Sequence, residues 1–198
     1  MNYVVETPET IKNASGTLRF SFDSTIHATA QNLQSILNYA TKVPEDKTTT
    51  IILDEDIIES GTEFCVVMNQ KFANIVLDLN AHILNCKQLS IGEKSPSNDE
   101  GLEICVRNGY VGTYERDADN IPQIVTNAPQ RYAIAYFSWQ NLDATFVDVK
   151  AAGYWAGIAG NGTLGGANIV INNCKFTSTS VVSNDAGAGM YVPSGDTL

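Results

Sequence analysis

Residues 74–86 (NIVLDLNAHILNC) constrain the fold more than any other segment of the chain. Apolar side chains occupy every second position between residues 75 and 83, and Asp78, Asn80 and His82 lie between them. A period of two is typical of a strand with one buried face. We therefore predict a strand here with Leu77 and Leu79 inward, broken at Asn85.

Later alternating runs shift their parity part-way through. Residues 141–151 (NLDATFVDVKA) shift after Phe146, and residues 168–178 (NIVINNCKFTS) shift across Asn172 and Asn173. Asparagine tolerates left-handed backbone, so one residue of this type can turn a corner while the apolar side chains stay inside. The two segments align without gaps at an offset of 27 residues, which suits one turn of a solenoid.

One segment near the N-terminus has helical spacing instead. Asp23, Ser24 and Thr25 offer N-cap oxygens before it, and Pro44 follows it. We predict an amphipathic helix that caps the first turn of the solenoid. Its apolar positions are Ile26, Ala30, Leu33, Ile36, Leu37, Ala40 and Val43.

Short β-rich runs fill most of the remaining chain. Two-residue hairpin turns are scarce, which favours a parallel solenoid over a β-sandwich, although the sandwich stays open as an alternative. The predicted domains are an extended arm at residues 1–23 and a helix-capped solenoid at residues 24–198, which we expect to continue beyond residue 198. Further strands are predicted at residues 48–52, 63–68, 102–106, 132–139 and 190–192, with a turn at Asn108-Gly109.

The composition narrows the function classes. The net charge of −10 disfavours binding to nucleic acid or to anionic membranes, and no apolar run reaches the roughly 18 residues of a membrane helix. The first residues lack the pattern of a signal peptide. Spacing of the cysteines fits no zinc motif, so buried free thiols are predicted, with two disulfides as the alternative. They are Cys65, Cys86, Cys105 and Cys174.

A family resemblance rests on residues 74–84 (NIVLDLNAHIL), the preceding helix, and the pairs Asn108-Gly109 and Asn172-Asn173. Over residues 24–192 the chain resembles the pectin-lyase-like superfamily of right-handed parallel β-helices, with Ala81 where that family usually has glycine. The resemblance implies an all-β, right-handed parallel β-helix capped by one amphipathic α-helix. It says little about function, because one fold carries many activities.

That superfamily contains polysaccharide lyases, galacturonases, epimerases, and the tailspikes and tail fibres of bacteriophages. The missing signal peptide and the acidic charge favour the phage group, which implies a homotrimer that binds other virion proteins and a bacterial surface glycan. We expect a structural and adhesive protein of the virion tail, or alternatively a secreted or cell-surface protein. The alternatives for function are a polysaccharide lyase or glycoside hydrolase, and a non-enzymatic β-helix binding module.

No decisive catalytic motif supports the enzyme alternative, and neither a cofactor nor a metal is expected. GxGxxG at residues 160–165 precedes a strand, so a turn is the better interpretation than a dinucleotide site. His27 and His82 are isolated in the sequence, which disfavours a triad or a metal site. The candidate carboxylates, interpreted mainly as solvated side chains, are Asp54, Glu55, Asp56, Asp78, Glu103, Asp143 and Asp148.

The densest group of aromatic residues offers the sequence-based candidate for carbohydrate contact. Aromatic rings stack on sugar rings, but they also pack within cores and subunit interfaces. The candidate residues are Tyr132, Tyr136, Trp139, Tyr154 and Trp155.

Overall fold

The computed structural model describes residues 10–12, 18–20, 24–43, 46–67, 73–92, 100–125, 132–161, 165–180 and 189–198. Within these residues the protein is a parallel β-solenoid of about five turns, with a single helix, α1 (Leu33–Ala40). The predicted all-β solenoid with one helical cap is confirmed, and its right-handedness stays a prediction. Parallel pairing between successive turns excludes the β-sandwich alternative.

Most of the described strands follow one another around the solenoid, and two antiparallel pairs lie outside its sheet. In chain order they are β1 (Thr10–Lys12), β2 (Leu18–Phe20), β3 (Ser24–Ala28), β4 (Thr48–Leu53), β5 (Ile57–Val66), β6 (Ala73–Asp78), β7 (Ile83–Ile91), β8 (Leu102–Gly112), β9 (Tyr114–Arg116), β10 (Pro122–Ile124), β11 (Tyr132–Phe137), β12 (Leu142–Gly153), β13 (Ala156–Asn161), β14 (Asn168–Asn172), β15 (Lys175–Ser178) and β16 (Met190–Tyr191).

The parallel pairs define three faces. Face A contains β3, β4, β6, β14 and the first halves of β8 and β12. Face B contains β15, the second halves of β8 and β12, and the first parts of β5 and β7. Face C contains β11, β13, β16 and the last parts of β5 and β7.

Inward side chains of successive turns stack in columns along the solenoid axis. On face A, Ile51, Leu77, Val106 and Phe146 occupy matching register positions, and all four are fully buried. Each strand exposes the residues between its core positions, as the period of two predicts. The apolar core therefore runs continuously from turn to turn.

The corner between faces A and B uses left-handed backbone in each of four successive turns. Positive φ angles occur at Asn80 and Ala81, then at Asn108, Asp148 and Asn173. The predicted asparagine corners are confirmed, and aspartate takes the same role at residue 148. Asn108 turns the chain inside β8, so Asn108-Gly109 is a corner of the solenoid and not a reversal.

Residues 74–86 do not form one strand. The corner at Asn80 and Ala81 separates β6 from β7, and β7 continues through Asn85. Ile83 matched the inward period, yet it lies in an outer apolar cluster with Tyr114, apart from the main core. The prediction of a single strand was wrong. The alternating pattern continued across the corner because Ile83, although it points outward, is apolar and is covered by another segment.

The offset between turns also differs from the sequence alignment. Asp143 pairs with Asn168 and Lys150 pairs with Lys175, a spacing of 25 residues and not 27. A slip of two residues keeps every side chain on the same face, so alternation alone cannot reveal it. Hydrogen bonding between turns fixes the register.

The helical cap begins later than predicted. Residues 24–28 form β3, which pairs with β4 in parallel register, so Ile26 is not helical. The N-cap residue is Asn32, and the predicted caps Ser24 and Thr25 lie in the strand instead. Pro44 and Asp23 lie outside the described residues.

Helix α1 closes the first turn of the solenoid. It buries Leu33, Ile36, Leu37 and Ala40. The Cys65 backbone N–H donates to Gln34 Oε1 at 2.8 Å, and Gln34 Nε2 donates to the Cys65 carbonyl at 2.9 Å. This side-chain amide occupies the free edge of β5 as a neighbouring strand would, and so protects an edge that could pair with another chain.

An antiparallel hairpin of β9 and β10 leaves the solenoid after β8 and covers part of face B. Tyr114 packs on Ile83 and Ala152, and Asn85 Nδ2 donates to the Tyr114 carbonyl at 3.0 Å. The hairpin is therefore part of the packed structure, and residues 126–131, which follow it, lie outside the described ones. It carries Arg116 back towards earlier turns.

Replacing Ala81 with glycine should stabilise the protein. Ala81 has φ of 62°, a conformation in which a Cβ atom costs about 1 kcal/mol that glycine avoids. We expect the free energy of unfolding to rise by about 0.5–1 kcal/mol in urea denaturation. Ala73→Gly is the control, since this buried strand residue should lose about 1 kcal/mol, and equal destabilisation by both changes would contradict the prediction.

Candidate functional site

An open groove of about 390 Å³ follows the corner between faces A and B, and we call it the corner groove. It is lined by left-handed corner residues and by the first outward residues of face B. Parallel register places Tyr110, Lys150 and Lys175 side by side on successive strands. The groove is lined by Ala81, Asn108, Gly109, Tyr110, Asp148, Lys150, Asn173, Cys174 and Lys175.

Tyr110 is the aromatic side chain of the corner groove. Lys150 Nζ lies 5.0 Å from the centroid of its ring and donates to its hydroxyl at 3.4 Å. The Tyr114 ring meets it edge-to-face, with centroids 5.2 Å apart. The hairpin thus supports a half-buried ring whose position is fixed from two sides.

Hydrogen bonds between turns hold the polar groups at the corner. Asn173 Nδ2 donates to Asp148 Oδ1 at 2.5 Å. Asn108 Nδ2 lies 3.2 Å from Asp78 Oδ1, and Arg107 Nε donates to Asp78 Oδ2 at 2.8 Å. These contacts fix the orientation of the amides and carboxylates.

The candidate carboxylates do not converge in one cleft. Asp54 pairs with His27 Nδ1 at 2.5 Å, and Glu55 accepts the Ala30 backbone N–H at 3.3 Å. Glu103 and Asp143 are neighbours in register on the exposed side of face A, and neither lines the corner groove.

Asp56 is hydrogen-bonded to three residues from two later segments of the chain. Arg116 donates to both of its oxygens, from Nε at 2.5 Å and from Nη2 at 3.0 Å. The Ile83 backbone N–H donates at 2.9 Å, and His82 Nδ1 lies 3.1 Å away. Burial raises the pKa of Asp56, but the hydrogen bonds outweigh it and hold the pKa below its usual value of 3.8. This cluster anchors the hairpin, and we call it the Asp56 latch.

The sequence-predicted aromatic residues fall into two groups. Tyr132, Tyr154 and Trp155 are half-buried at the corner between faces B and C, with the Tyr132 and Trp155 rings 5.8 Å apart and edge-to-face. Tyr136 is fully buried, and its hydroxyl donates to Asp196 Oδ2 at 3.1 Å. Burial, and then the charge of Asp196 and this hydrogen bond, raise the pKa of Tyr136. Trp139 packs against the core, and its Nε1 finds no partner among the described residues.

Within the segment at residues 160–165, Gly160 and Asn161 end β13, and Gly165 has a positive φ of 69°. A Cβ atom at Gly160 would lie 2.6 Å from the Tyr136 ring, so glycine is needed there for packing. Strand β14 follows, as the interpretation of a turn predicted, whereas a dinucleotide site needs a helix there. Residues 162–164 lie outside the described residues.

All four cysteines are free thiols. Cys86 is fully buried, and burial raises the pKa of its thiol to about 12. Cys65, Cys105 and Cys174 are only half-buried, so complete burial was predicted correctly for one of the four. The two-disulfide alternative is excluded in this structure.

The corner groove was not found from the sequence. Its one available signal was the spacing of Lys150 and Lys175 by one turn, which becomes visible only with the 25-residue register. No group of three or more potential metal-ligating side chains occurs in the described part of the chain. Within the same part, no helix is long and apolar enough to cross a bilayer. No protein family, curated protein or solved structure matches the chain.

Proposed function

We propose that the protein binds polysaccharide through the corner groove and acts as a structural and adhesive component of a phage virion, in a tail fibre or tailspike. The observation that carries the binding part is the groove itself. It combines a positioned aromatic ring, Tyr110, with amide and charged groups along a length of three turns. Glycan sites in general use this combination of ring faces and fixed polar groups.

The repeated geometry of the groove suits a polymer. Successive turns place equivalent positions one strand apart, about 4.8 Å, so the groove presents Asn108, Asp148 and Asn173 in a row. A chain of sugar units lying along the solenoid axis would meet a similar surface at each turn. A compact ligand would use only part of it.

Binding is favoured over cleavage by the state of the carboxylates. In the corner groove the carboxylate of Asp148 already accepts a hydrogen bond from Asn173. Glycoside hydrolysis needs two carboxylates on either side of the bond that is cleaved. The neighbours Glu103 and Asp143 lie outside the groove, on an exposed sheet face.

Replacing Tyr110 with alanine should weaken polysaccharide binding by about fivefold, because stacking on an aromatic face contributes about 1 kcal/mol. Binding would be screened on a panel of neutral and charged bacterial polysaccharides and then measured by calorimetry. Tyr110→Phe keeps the ring and should retain most of the affinity. Tyr191, which is 59% exposed on β16, supplies the matched control Tyr191→Ala.

Two results would contradict this proposal. Equal binding by Tyr110→Ala and the wild type would remove the corner groove as the site, provided that both unfold at the same temperature. Release of oligosaccharides by the wild-type chain would favour the polysaccharide lyase or hydrolase over the adhesin.

The virion setting rests on the family resemblance of residues 24–192, and it has a separate test. A homotrimer that associates with other virion proteins should show three times the mass of one chain by light scattering after size exclusion. A stable monomer would contradict the tail-fibre setting. The polysaccharide-binding function would then depend on the binding measurements alone.

A further inference from the structure

Two lysines lie side by side in the corner groove. Lys150 and Lys175 occupy matching positions on adjacent parallel strands of face B, and both are exposed. Strand spacing places their Cα atoms about 4.8 Å apart. Like charges directly opposite each other on neighbouring strands destabilise a sheet. The pair therefore has an unfavourable electrostatic energy that a bound anion would relieve.

The described residues of the protein do not neutralise this pair. Among the described residues, neither lysine has a carboxylate within salt-bridge distance, since the ion pairs there involve His27, His82, Arg107 and Arg116. Asp148 is the acidic side chain of the groove, and it accepts the Asn173 amide at 2.5 Å. Lys150 is drawn instead to the Tyr110 ring. The groove thus contains two lysine cations and one carboxylate, Asp148, which is already hydrogen-bonded to Asn173.

The negative overall charge of the chain restricts anion binding to places where cations are concentrated, such as this lysine pair. A chain of net charge −10 repels polyanions as a whole, so an anion is attracted only where cations are concentrated. Two ammonium groups on either side of one oxyanion form charge-assisted hydrogen bonds, which are about twice as strong as neutral ones. The neighbouring Tyr110 ring offers an apolar face to the group that carries the anion.

We propose that Lys150 and Lys175 bind an anionic substituent of the glycan, a carboxylate of an acidic sugar or a sulfate ester, while Tyr110 contacts the sugar ring that bears it. The inference rests on the proposed polysaccharide binding and names the class of glycan, an acidic polysaccharide. The anion site itself can be tested without any polysaccharide.

The test compares three polymers with one backbone: dextran, carboxymethyl dextran and dextran sulfate of matched size. We expect at least one charged polymer to bind about tenfold more tightly than dextran at low salt, with the difference shrinking as salt rises. The double variant Lys150→Gln/Lys175→Gln should lose this difference. The matched control Lys42→Gln/Lys87→Gln removes the same charge from exposed positions outside the groove and should keep it.

The pattern of binding separates the possible sources of the anion. Preference for carboxymethyl dextran assigns a carboxylate, and preference for dextran sulfate assigns a sulfate ester. Equal affinity for all three polymers overturns the proposal, and so does an equal loss in the control variant. Binding of neutral polysaccharides alone would support the proposed polysaccharide binding and would contradict the proposal that the glycan is acidic.

Titration with inorganic sulfate keeps the anion site distinguishable from the adhesin function. In the wild type, the side-chain amine resonances of lysines should shift, and the shifts should disappear in Lys150→Gln/Lys175→Gln. Shifts without binding of any polysaccharide on the panel would support the anion site and contradict the proposed function. Absence of shifts in the wild type would overturn the anion site.

Discussion

Replacing Gly112 with alanine is expected to lower the free energy of unfolding by about 4 kcal/mol, the sum of a backbone penalty and a packing penalty. Gly112 ends β8 with φ of 92°, a conformation that side chains with a Cβ atom rarely adopt. An added Cβ atom would lie 2.2 Å from the Ala152 carbonyl oxygen and 2.5 Å from the Ala133 Cβ atom. Neither neighbour is the flexible end of a long side chain.

The surroundings of Gly112 leave little room for relaxation. The Ala152 carbonyl accepts the Thr113 backbone N–H at 2.9 Å, and Ala133 is fully buried in β11. Moving either one would disturb the contact between two turns. The chain also leaves the solenoid here to form the hairpin, so the same change should loosen β9 and β10.

Gly61→Ala is the matched control for this prediction. Gly61 lies inside β5, and an added Cβ atom there would meet nothing within 4 Å. The control should change the free energy of unfolding by less than about 0.5 kcal/mol in urea denaturation. A similar loss in both variants would mean that the solenoid tolerates no side chain at either glycine, and would contradict the argument from close approach.

What the sequence predicts well is the local part of the fold. Alternation identifies the inward residues Leu77 and Leu79 because each strand contacts solvent on one side. Asparagine identifies the corners at residues 108 and 173 because its short polar side chain tolerates left-handed backbone. These signals need no knowledge of the neighbouring turn.

What it predicts poorly depends on contacts between turns. The 27-residue alignment missed the true pairing of Lys150 with Lys175 because a two-residue slip keeps the alternation intact. The burial of Ile83 comes from a hairpin about thirty residues later. Residues 24–28 matched a helical pattern, but they form a strand because their backbone pairs with β4.

The candidate site shows the same division. The five aromatic residues were found as a cluster in sequence, yet they separate in space into a half-buried group and a group that contacts the core. The corner groove is assembled from Tyr110, Lys150 and Lys175, which are far apart in the chain. Only the register of the solenoid brings them together, so composition and local motifs could not predict this site.

Breaking the Asp56 latch should detach the hairpin and lower the free energy of unfolding by about 2 kcal/mol, since it removes a partly buried, two-point ion pair. In Arg116→Gln, Asp56 loses the donors to both oxygens, and the Ala81 carbonyl loses a donor at 3.1 Å. Hydrogen exchange at the Ile83 amide, which donates to Asp56, gives a local readout.

The control for the latch is a second arginine on the same corner. Arg107 pairs with Asp78 through one hydrogen bond and is 41% exposed, whereas the Arg116 side chain is 25% exposed and binds Asp56 twice. Arg107→Gln should therefore cost less than about 1 kcal/mol. The double-mutant cycle of Arg116→Gln with Asp56→Asn should give a coupling of about 1 kcal/mol or more, and independent effects would contradict a direct latch.

The latch also predicts the direction of the response to pH. The pKa of Asp56 is lower in the folded chain than its usual 3.8, so the folded state favours the charged carboxylate. Its contribution to stability is complete above pH 3.8 and is lost as the pH falls through the lower, folded value. Asp56→Asn should remove this part of the acid dependence.

Because the hairpin supports the Tyr110 ring through Tyr114, acid should loosen the corner groove in the wild type before the core unfolds. Protection of the Ile83 amide that decreases only together with the core amides would contradict this order.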